Sequence, residues 1–132
     1  MLPENTLPTI NRITTNRKDA LAFSIDGPMT SADMENLYGL FDAESANLSH
    51  IDMIIIFKEY DGIDWKTLFN EDTAKIRAAA LKKVKRYAIV GGPDWLRFAV
   101  DFLRPFRTIN IRWFDSQNVD TAWNFIDAHS AE

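Results

Sequence analysis

The stretch that decides the fold is Asp52-Met-Ile-Ile-Ile-Phe-Lys-Glu-Tyr-Asp61, followed by Gly62-Ile-Asp-Trp65. The unbroken apolar run at 53–57 has no polar residue to face water, which indicates a strand buried on both faces. Central strands of parallel sheets have this composition, because crossover helices cover both faces of the sheet. The run therefore predicts an α/β fold in which this strand is central.

The charged turn after this strand opens the next predicted helix. Open α/β sheets usually place a ligand or a switch at that position. We therefore select Asp61, Gly62, Ile63 and Asp64 as a candidate site. The turn contains no Ser, Cys or His and no glycine-rich phosphate loop, so its residues do not indicate a reaction.

Composition predicts a single globular domain spanning residues 1–132, with 46% apolar and 26% charged residues. A net charge of −4 and a pI near 5.1 argue against a nucleic-acid partner, because phosphate binding needs a cationic surface. The absence of cysteine excludes disulfides, thiol nucleophiles and cysteine-ligated metals. No signal peptide and no membrane-spanning run is recognisable, so we expect a cytoplasmic protein.

Patterns before the central strand predict a β-hairpin followed by a helix. The segments 10–15 and 21–25 flank a polar turn, and the second segment alternates apolar with small residues. The sequence Thr-Ser-Ala-Asp at 30–33 has the form of a helix-capping box. One apolar helical stripe then follows, made of Met34, Leu37, Phe41 and Leu48.

Helices and strands alternate after the central strand. A helix is predicted over 64–84. Acidic residues lie near its start and a cluster of basic residues lies at its end, a distribution that complements the helix dipole. A short buried strand at 87–90 leads through Gly91-Gly-Pro93 into a helix over 93–104. An alternating edge strand follows at 108–114. Ser116 or Asn118 is expected to cap a last helix, which contains Val119, Ala122, Trp123 and Ile126.

The resulting order is β-β-α-β-α-β-α-β-α, which predicts one mixed, mostly parallel sheet with the N-terminal strand antiparallel. This order resembles the STAS/SpoIIAA-like fold of anti-sigma-factor antagonists. Four local patterns resemble, more narrowly, the small uncharacterised bacterial SpoIIAA-like proteins. They are Ile-Asp-Gly-Pro-Met-Thr at 25–30, Tyr-Asp-Gly at 60–62, Tyr-Ala-Ile-Val-Gly-Gly-Pro-Asp-Trp at 87–95, and Arg-Trp-Phe-Asp at 112–115 before Ala-Trp at 122–123.

The phosphorylation switch of STAS antagonists does not carry over with this resemblance. In those proteins a serine just after the central strand accepts a phosphate, whose charge switches the docking surface. Asp61 could match the aspartate of that motif, but Gly62 and Ile63 stand where the hydroxyl residue is needed. The nearest hydroxyls, those of Tyr60 and Thr67, are not at the motif position.

Two groups of titratable residues allow a functional interpretation and a structural one. Asp61 and Asp64, with Glu59 nearby, offer oxygen ligands for a metal ion, or else serve the turn and cap the helix. His50, beside Ser49 in a predicted loop, and His129, near a frayed C-terminus, could join a triad or lie on the surface. No Asp-x-Asp-x-Asp loop or second carboxylate cluster supports the metal site, and no nucleophile-elbow motif supports the triad. We therefore favour the structural interpretation of both groups and expect no metal.

Two further motifs could bind anions or acidic partners. Gly91 and Gly92 precede a predicted helix N-terminus, where backbone amides hold anions, but the motif is also a tight strand-to-helix turn. The basic cluster could attract anionic lipid or an acidic protein, or it could be a solvated helix end. Its members are Lys82, Lys83, Lys85 and Arg86.

Two functions from different classes are consistent with these features. The first is a non-enzymatic interaction or signalling module that docks an unidentified protein partner or forms a homodimer. The alternative is a binder of an apolar small molecule or lipid, since the SpoIIAA-like fold resembles the CRAL-TRIO fold. Either function could use one aromatic face of the third helix. That face contains Trp95, Phe98, Phe102 and Phe106. An enzyme ranks last, and no cofactor is expected.

Overall fold

The computed structural model describes residues 10–26, 31–59, 82–92 and 110–132. Strand β1 is followed by β2, helix α1, strands β3, β4 and β5, a 3-10 turn and helix α2. Their bounds are β1 Ile10–Ile13, β2 Ala20–Asp26, α1 Ser31–Ser45, β3 Ile51–Glu59, β4 Val84–Val90, β5 Asn110–Phe114, the 3-10 turn Ser116–Asn118 and α2 Val119–Phe125. Within these ranges no helix is long and apolar enough to span a bilayer.

The described strands form one sheet in the order β1-β2-β3-β4-β5. Strand β1 is antiparallel to β2, and the other three pairings are parallel. This confirms the α/β class, the mixed and mostly parallel sheet, the hairpin and the central position of the apolar strand. The predicted order is visible only in part, because the helices predicted at 64–84 and 93–104 lie almost entirely outside the described residues.

One face of the sheet packs against α1. Alternate residues of β2 and β3 point to this face and form a cluster with Leu37 and Phe41 of the predicted helical stripe. Leu48 packs against the same cluster from beyond the helix end. The side chain of Met34 and the predicted capping box are outside what the structure describes. The buried strand residues of this cluster are Leu21, Phe23, Ile25, Ile51, Met53, Ile55 and Val84.

The opposite face of the sheet packs against α2. Small side chains at Ala20, Ala22 and Ala88 line this face, and Ala122 of α2 is fully buried against it. Ile126 is also fully buried, and Trp123 and Phe125 pack at the edge of the cluster. Ile54 of β3 points here while Met53 and Ile55 point to α1. The central strand is thus buried on both faces, as its composition predicts.

The start of β4 corrects the predicted end of the second helix. Lys82 and Lys83 form a turn, and Val84 already pairs with Ile51 as the first residue of β4. Val84 is only 1% exposed. Lys85 and Arg86 are therefore strand residues, and their charges do not complement the dipole of a preceding helix. The prediction was wrong because alternating charge at a strand start and charge at a helix end look alike in sequence.

The C-terminal region corrects two smaller predictions. Asn118 stands at the N-cap of α2, but its side chain makes no capping hydrogen bond, and the 3-10 turn leads into the helix instead. The C-terminus is not frayed, because Ser130 pairs with Thr15 in an antiparallel bridge. The amide of Asn16 donates to the carbonyl of His129 at 3.1 Å, and the amide of Ala131 donates to that of Thr14 at 2.8 Å.

Candidate functional site

The carboxyl edge of the sheet is where the sequence predicts the functional site. Strand β3 ends there at Glu59, immediately before the candidate turn. Asp61, Gly62, Ile63 and Asp64 lie outside the described residues, as do Trp95, Phe98, Phe102 and Phe106 of the aromatic face. Both candidate sites therefore stay predictions, and the structure describes the strand ends that precede them.

The turn after β4 lies within the described part of this edge, and its backbone is tightly constrained. Gly91 and Gly92 have φ values of 78° and 87°, in the region that favours glycine. A Cβ at Gly91 would lie 2.9 Å from the carbonyl oxygen of Phe57 on β3. Glycine is needed there both for the backbone conformation and for the close approach of β3.

Both backbone polar groups of Gly91 are already used. Its N–H donates to the carbonyl of Phe114 at 2.9 Å, and its carbonyl accepts from the indole Nε1 of Trp113 at 2.9 Å. An anion at this turn would have to compete with the β4–β5 pairing for the Gly91 amide. The bonding of Gly91 favours a tight turn after β4 over the anion site.

The densest polar cluster among the described residues lies at the opposite, amino edge of the sheet. We call it the Asp52 cluster, and its members are Arg17, Asp19, Asp52 and Arg86. Arg86 donates from Nε to Oδ1 of Asp52 at 3.0 Å and from Nη2 to Oδ2 at 2.7 Å. Arg17 donates from Nη2 to the same Oδ2 at 2.9 Å and from Nε to Asp19 at 3.0 Å. The side chain of Asp52 is only 7% exposed.

Strand pairing brings the members of this cluster together. Asp52 pairs in register with Arg86 of β4 on one side and with Ala20 of β2 on the other. Arg17 lies in the β1–β2 turn just before β2 begins. Three neighbouring segments therefore bring their charged residues to one end of the sheet, although 34 residues separate Asp52 from Arg86.

The same two arginines hold the end of α2. Arg17 Nη1 donates to the carbonyls of Ile126 at 2.8 Å and Asp127 at 3.0 Å. Arg86 Nη1 donates to the carbonyl of Phe125 at 3.2 Å. Phe125 is the last residue of the helix and the other two residues follow it directly, at the end where acceptors lack partners and cations are favoured. The Asp52 cluster thus joins the sheet to the C-terminal helix.

A Schellman motif completes this end of α2. The amide of Ala128 donates to the carbonyl of Trp123 at 3.2 Å, and that of Asp127 donates to the carbonyl of Asn124 at 3.1 Å. Asp127 takes the left-handed conformation with φ of 54°. Ala128 and Trp123 pack in the same apolar cluster, which is the hydrophobic contact that accompanies this motif.

The arginines keep Asp52 ionised despite its burial. Burial acts to raise the pKa of Asp52, but hydrogen bonds from Arg86 and Arg17 and their charges outweigh it. The pKa of Asp52 therefore lies below its ordinary value of 3.8. The hydrogen bond from Arg17 likewise lowers the pKa of Asp19. A carboxylate that stays ionised and has both oxygens bonded to guanidinium groups is poorly suited to act as a base, so the cluster is structural.

The histidines and the basic cluster have structural roles or face solvent. His50 and His129 are both exposed, as expected for surface histidines, and the amide of His129 donates to Asn16 Oδ1 at 2.8 Å. Lys83 Nζ donates to the carbonyl of Ser45 at 2.9 Å, at the end of α1. Arg86 belongs to the Asp52 cluster, while Lys82 and Lys85 are exposed. The four basic residues therefore do not act as one patch.

Metal binding finds no support in the part of the chain that the structure describes. No group of three His, Asp or Glu side chains there is placed to hold an ion. Glu59 is the last residue of β3, and its proposed partners Asp61 and Asp64 lie beyond the described range. The metal hypothesis for that turn is thus neither supported nor corrected.

Sequence reasoning did not identify the Asp52 cluster, although a clue was present. Asp52 and Arg86 each come directly before a run of buried apolar residues in a predicted parallel strand. Opposite charges at the starts of two strands become neighbours if those strands pair in register. The strand order was needed to see this, and the sequence patterns did not define it.

Comparison with known proteins supports the fold. The model of the SpoIIAA-like family matches residues 20–127. The crystal structure of an uncharacterized protein with a SpoIIAA-like fold from Shewanella loihica PV-4 superposes with a TM-score of 0.69. It is 23% identical, and the match covers 94% of this chain and 98% of that one. No curated protein matches. Since the family model covers most of the chain, including the central strand and the end of α2, this chain belongs to the SpoIIAA-like family.

Proposed function

We propose that this chain is a non-enzymatic interaction or signalling module that works by docking to a protein, including a second copy of itself. Family membership over residues 20–127 is the observation that carries the proposal. Two polar groups described above also support it, because both already have bonding partners within the chain. The Asp52 carboxylate is paired with two arginines, and the Gly91 amide is bonded to Phe114.

The module would work without the phosphorylation switch of STAS antagonists. Gly62 and Ile63 offer no hydroxyl group at the position where those proteins accept a phosphate. Its docking state would then depend on the concentration of the partner rather than on a charge added at this turn. We propose the aromatic face at 95–106 as the docking surface of a homodimer.

Native mass spectrometry of the purified, untreated protein tests this function. We expect a defined dimer without a retained small molecule. The Phe98→Asp variant should be a folded monomer, because a buried carboxylate at an interface opposes association. A lipid retained in stoichiometric amount would instead support the apolar-ligand alternative. A monomeric, ligand-free wild type whose Phe98→Asp variant unfolds would show that the aromatic face is core, and the dimer proposal would fail.

A further inference from the structure

A short segment after α2 covers the outer edge of the β1–β2 hairpin, and we call this segment, residues 128–132, the strap. The strap runs antiparallel to the chain that leaves β1, where Ser130 pairs with Thr15. Its main-chain bonds go to Thr14 and Asn16, on either side of Thr15. Main-chain groups of successive strand residues point to opposite sides, so these two residues direct theirs away from β2 and toward the strap.

The bonds that hold the strap are exposed to water. Asn16 Oδ1 accepts from the amide of His129 at 2.8 Å, and Glu132 Oε2 accepts from the amide of Thr14 at 2.7 Å. Side chains thus close both ends of the pairing. Ala128 is 7% exposed, but every strap residue after it is exposed. Segments held by exposed hydrogen bonds and few apolar contacts open locally at a low cost in free energy, so the strap can open while the sheet stays folded.

The end of α2 stays anchored when the strap opens. Arg17 bonds the carbonyls of Ile126 and Asp127, the two residues just before the strap. The chain turns sharply at Asp127, where φ is 54°. Asp127 is therefore the hinge, and opening of the strap leaves the Asp52 cluster in place.

Opening of the strap lengthens the accessible edge of the hairpin. Strand β1 is the outermost of the described strands, with β2 on its inner side. Alternation along the strand points the main-chain groups of Ile10 and Arg12 to the same outer side as those of Thr14. With the strap closed, the accessible edge ends at Arg12. With the strap open, it extends over residues 10–16, which is the length of an ordinary strand.

The opened edge is suited to pairing with an identical edge. Its sequence, Ile-Asn-Arg-Ile-Thr-Thr-Asn at 10–16, is rich in β-branched residues and contains no glycine or proline. Both the amide and the carbonyl of Thr14 face outward, so two copies related by a twofold axis can pair antiparallel. A charged side chain on an edge strand usually opposes such pairing, but Arg12 is balanced by Glu44 at 3.0 Å.

We propose that the strap is an autoinhibitory cover, and that its release lets the edge at 10–16 pair with the same edge of a second copy. Pairing of the two edges adds main-chain bonds at Ile10 and Arg12, which the strap does not make. Exchange of straps between two copies is less favourable, because it only replaces each contact by an identical one. This association uses the hairpin edge and not the aromatic face at 95–106, so it does not depend on the proposed function.

The test is a double variant of the full chain, His129→Pro with Ala131→Pro, which removes both strap amides that donate to the edge. Ser130→Pro is the matched control, because alternation points the amide of Ser130 away from the edge. Sedimentation velocity over a concentration series measures the mass, with the wild type as the baseline. We expect the mass of the double variant to rise to roughly twice the wild-type value. Ser130→Pro should sediment like the wild type.

Hydrogen exchange locates the contact in the double variant. At low concentration, the amides of Thr14 and Asn16 should exchange faster than in the wild type, because the strap is open. At high concentration they should be protected again, while the central amide of Ile55 stays protected throughout and reports an intact fold. A second variant, Asn16→Ala with Glu132→Ala, removes only the side-chain acceptors and should associate in the same way at higher concentration.

Three results would overturn the proposal. The first is a wild-type mass at every concentration in both double variants. The second is association in which Thr14 and Asn16 stay unprotected, because the contact would then lie elsewhere. The third is a wild type that dimerises while the double proline variant does not and Ser130→Pro does, which would indicate exchange of straps. The dimer at the aromatic face is tested separately, because Phe98→Asp leaves the strap unchanged.

Discussion

At the residue scale, the chain depends on a few side chains with several contacts each. Asp52 accepts from two arginines that also bond the end of α2, so one carboxylate orients groups from three elements. Burying an ion is costly unless it is paired and fully hydrogen-bonded. The cost of removing Asp52 should therefore come mainly from the guanidinium groups left facing one another.

We predict that Asp52→Asn lowers the free energy of unfolding by about 2–3 kcal/mol. The side chains of Arg17 and Arg86 are 25% and 36% exposed, so water offsets part of the larger loss expected for a fully buried pair. Asp19→Asn is the matched control. Its side chain is 47% exposed, and its loss should stay below about 1 kcal/mol. Urea denaturation measures both, and equal losses would contradict the ranking.

Replacing either of two glycines by alanine should change the stability of the fold, in opposite directions at the two positions. Gly91→Ala should destabilise by about 2–3 kcal/mol, because a Cβ there meets the Phe57 carbonyl at 2.9 Å and the φ of 78° is unfavourable for alanine. Gly39→Ala should stabilise by about 0.5–1 kcal/mol, since it adds helix propensity in open space. Urea midpoints compare the two variants. A stabilised Gly91→Ala would show that β3 does not approach this turn closely.

At the element scale, α2 is too short to be stable alone. Helices shorter than about 12 residues are marginal in water, and α2 spans Val119–Phe125. Burial of Ala122 and Ile126 against the sheet holds its middle and end. Arg17 and Arg86 hold its last carbonyls, and the guanidinium of Arg112 lies 5.3 Å from the ring centroid of Phe125. The helix exists because of its tertiary contacts.

Replacing Arg17 should therefore loosen the C-terminal segment before the rest of the chain. In Arg17→Lys, we expect the amides of Asp127 and Ala128 to exchange with deuterium about tenfold faster, because one ammonium group cannot reproduce the fork of a guanidinium. The central amide of Ile55 should change less. Lys18→Met, at the exposed neighbouring position, is the control and should leave all three amides unchanged. Unaltered exchange at 127 and 128 would show that Arg17 does not hold the helix.

At the scale of the whole molecule, the Asp52 cluster closes the chain on itself. Arg17 lies near the start of the described chain, and the carbonyls that it bonds lie more than a hundred residues later. Thr15 and Ser130 pair beside it. Loss of the cluster should thus affect global unfolding, and its ionisation should make the stability depend on pH.

We predict that acid removes the contribution of Asp52. Its pKa in the folded protein is depressed, so the stabilisation is complete above its unfolded pKa of about 4 and is lost as the pH falls through the folded value. The difference in unfolding free energy between wild type and Asp52→Asn should be constant from about pH 7 to 5 and shrink below about pH 4. The pKa of Asp19 is also lowered, so the stability difference between wild type and Asp19→Asn should shrink in acid too. The Asp19→Asn variant therefore serves as the reference. A difference that grows in acid would contradict this sign.

The sequence by itself determined the class of this protein and most of its local structure. The apolar run at 53–57, the alternation at 21–25 and the stripe through Leu37 and Phe41 each reflect a local periodicity, and burial follows periodicity directly. These patterns were enough to predict the hairpin, the central strand, the edge strand and the first helix. Likewise, the missing hydroxyl at Gly62 and Ile63 is a property of the sequence alone.

Tertiary structure alone decided which distant charges meet. Asp52, Arg86 and Arg17 look like ordinary solvated residues in sequence, and only parallel pairing in register brings them to one edge beneath α2. The same holds for Val84, whose basic neighbours suggested a helix end until its pairing with Ile51 showed a strand. A charged side chain shows no periodicity that reveals its partner. The partner is set by strand order, because the pairing of β3 with β2 and β4 brings segments far apart in the chain into contact.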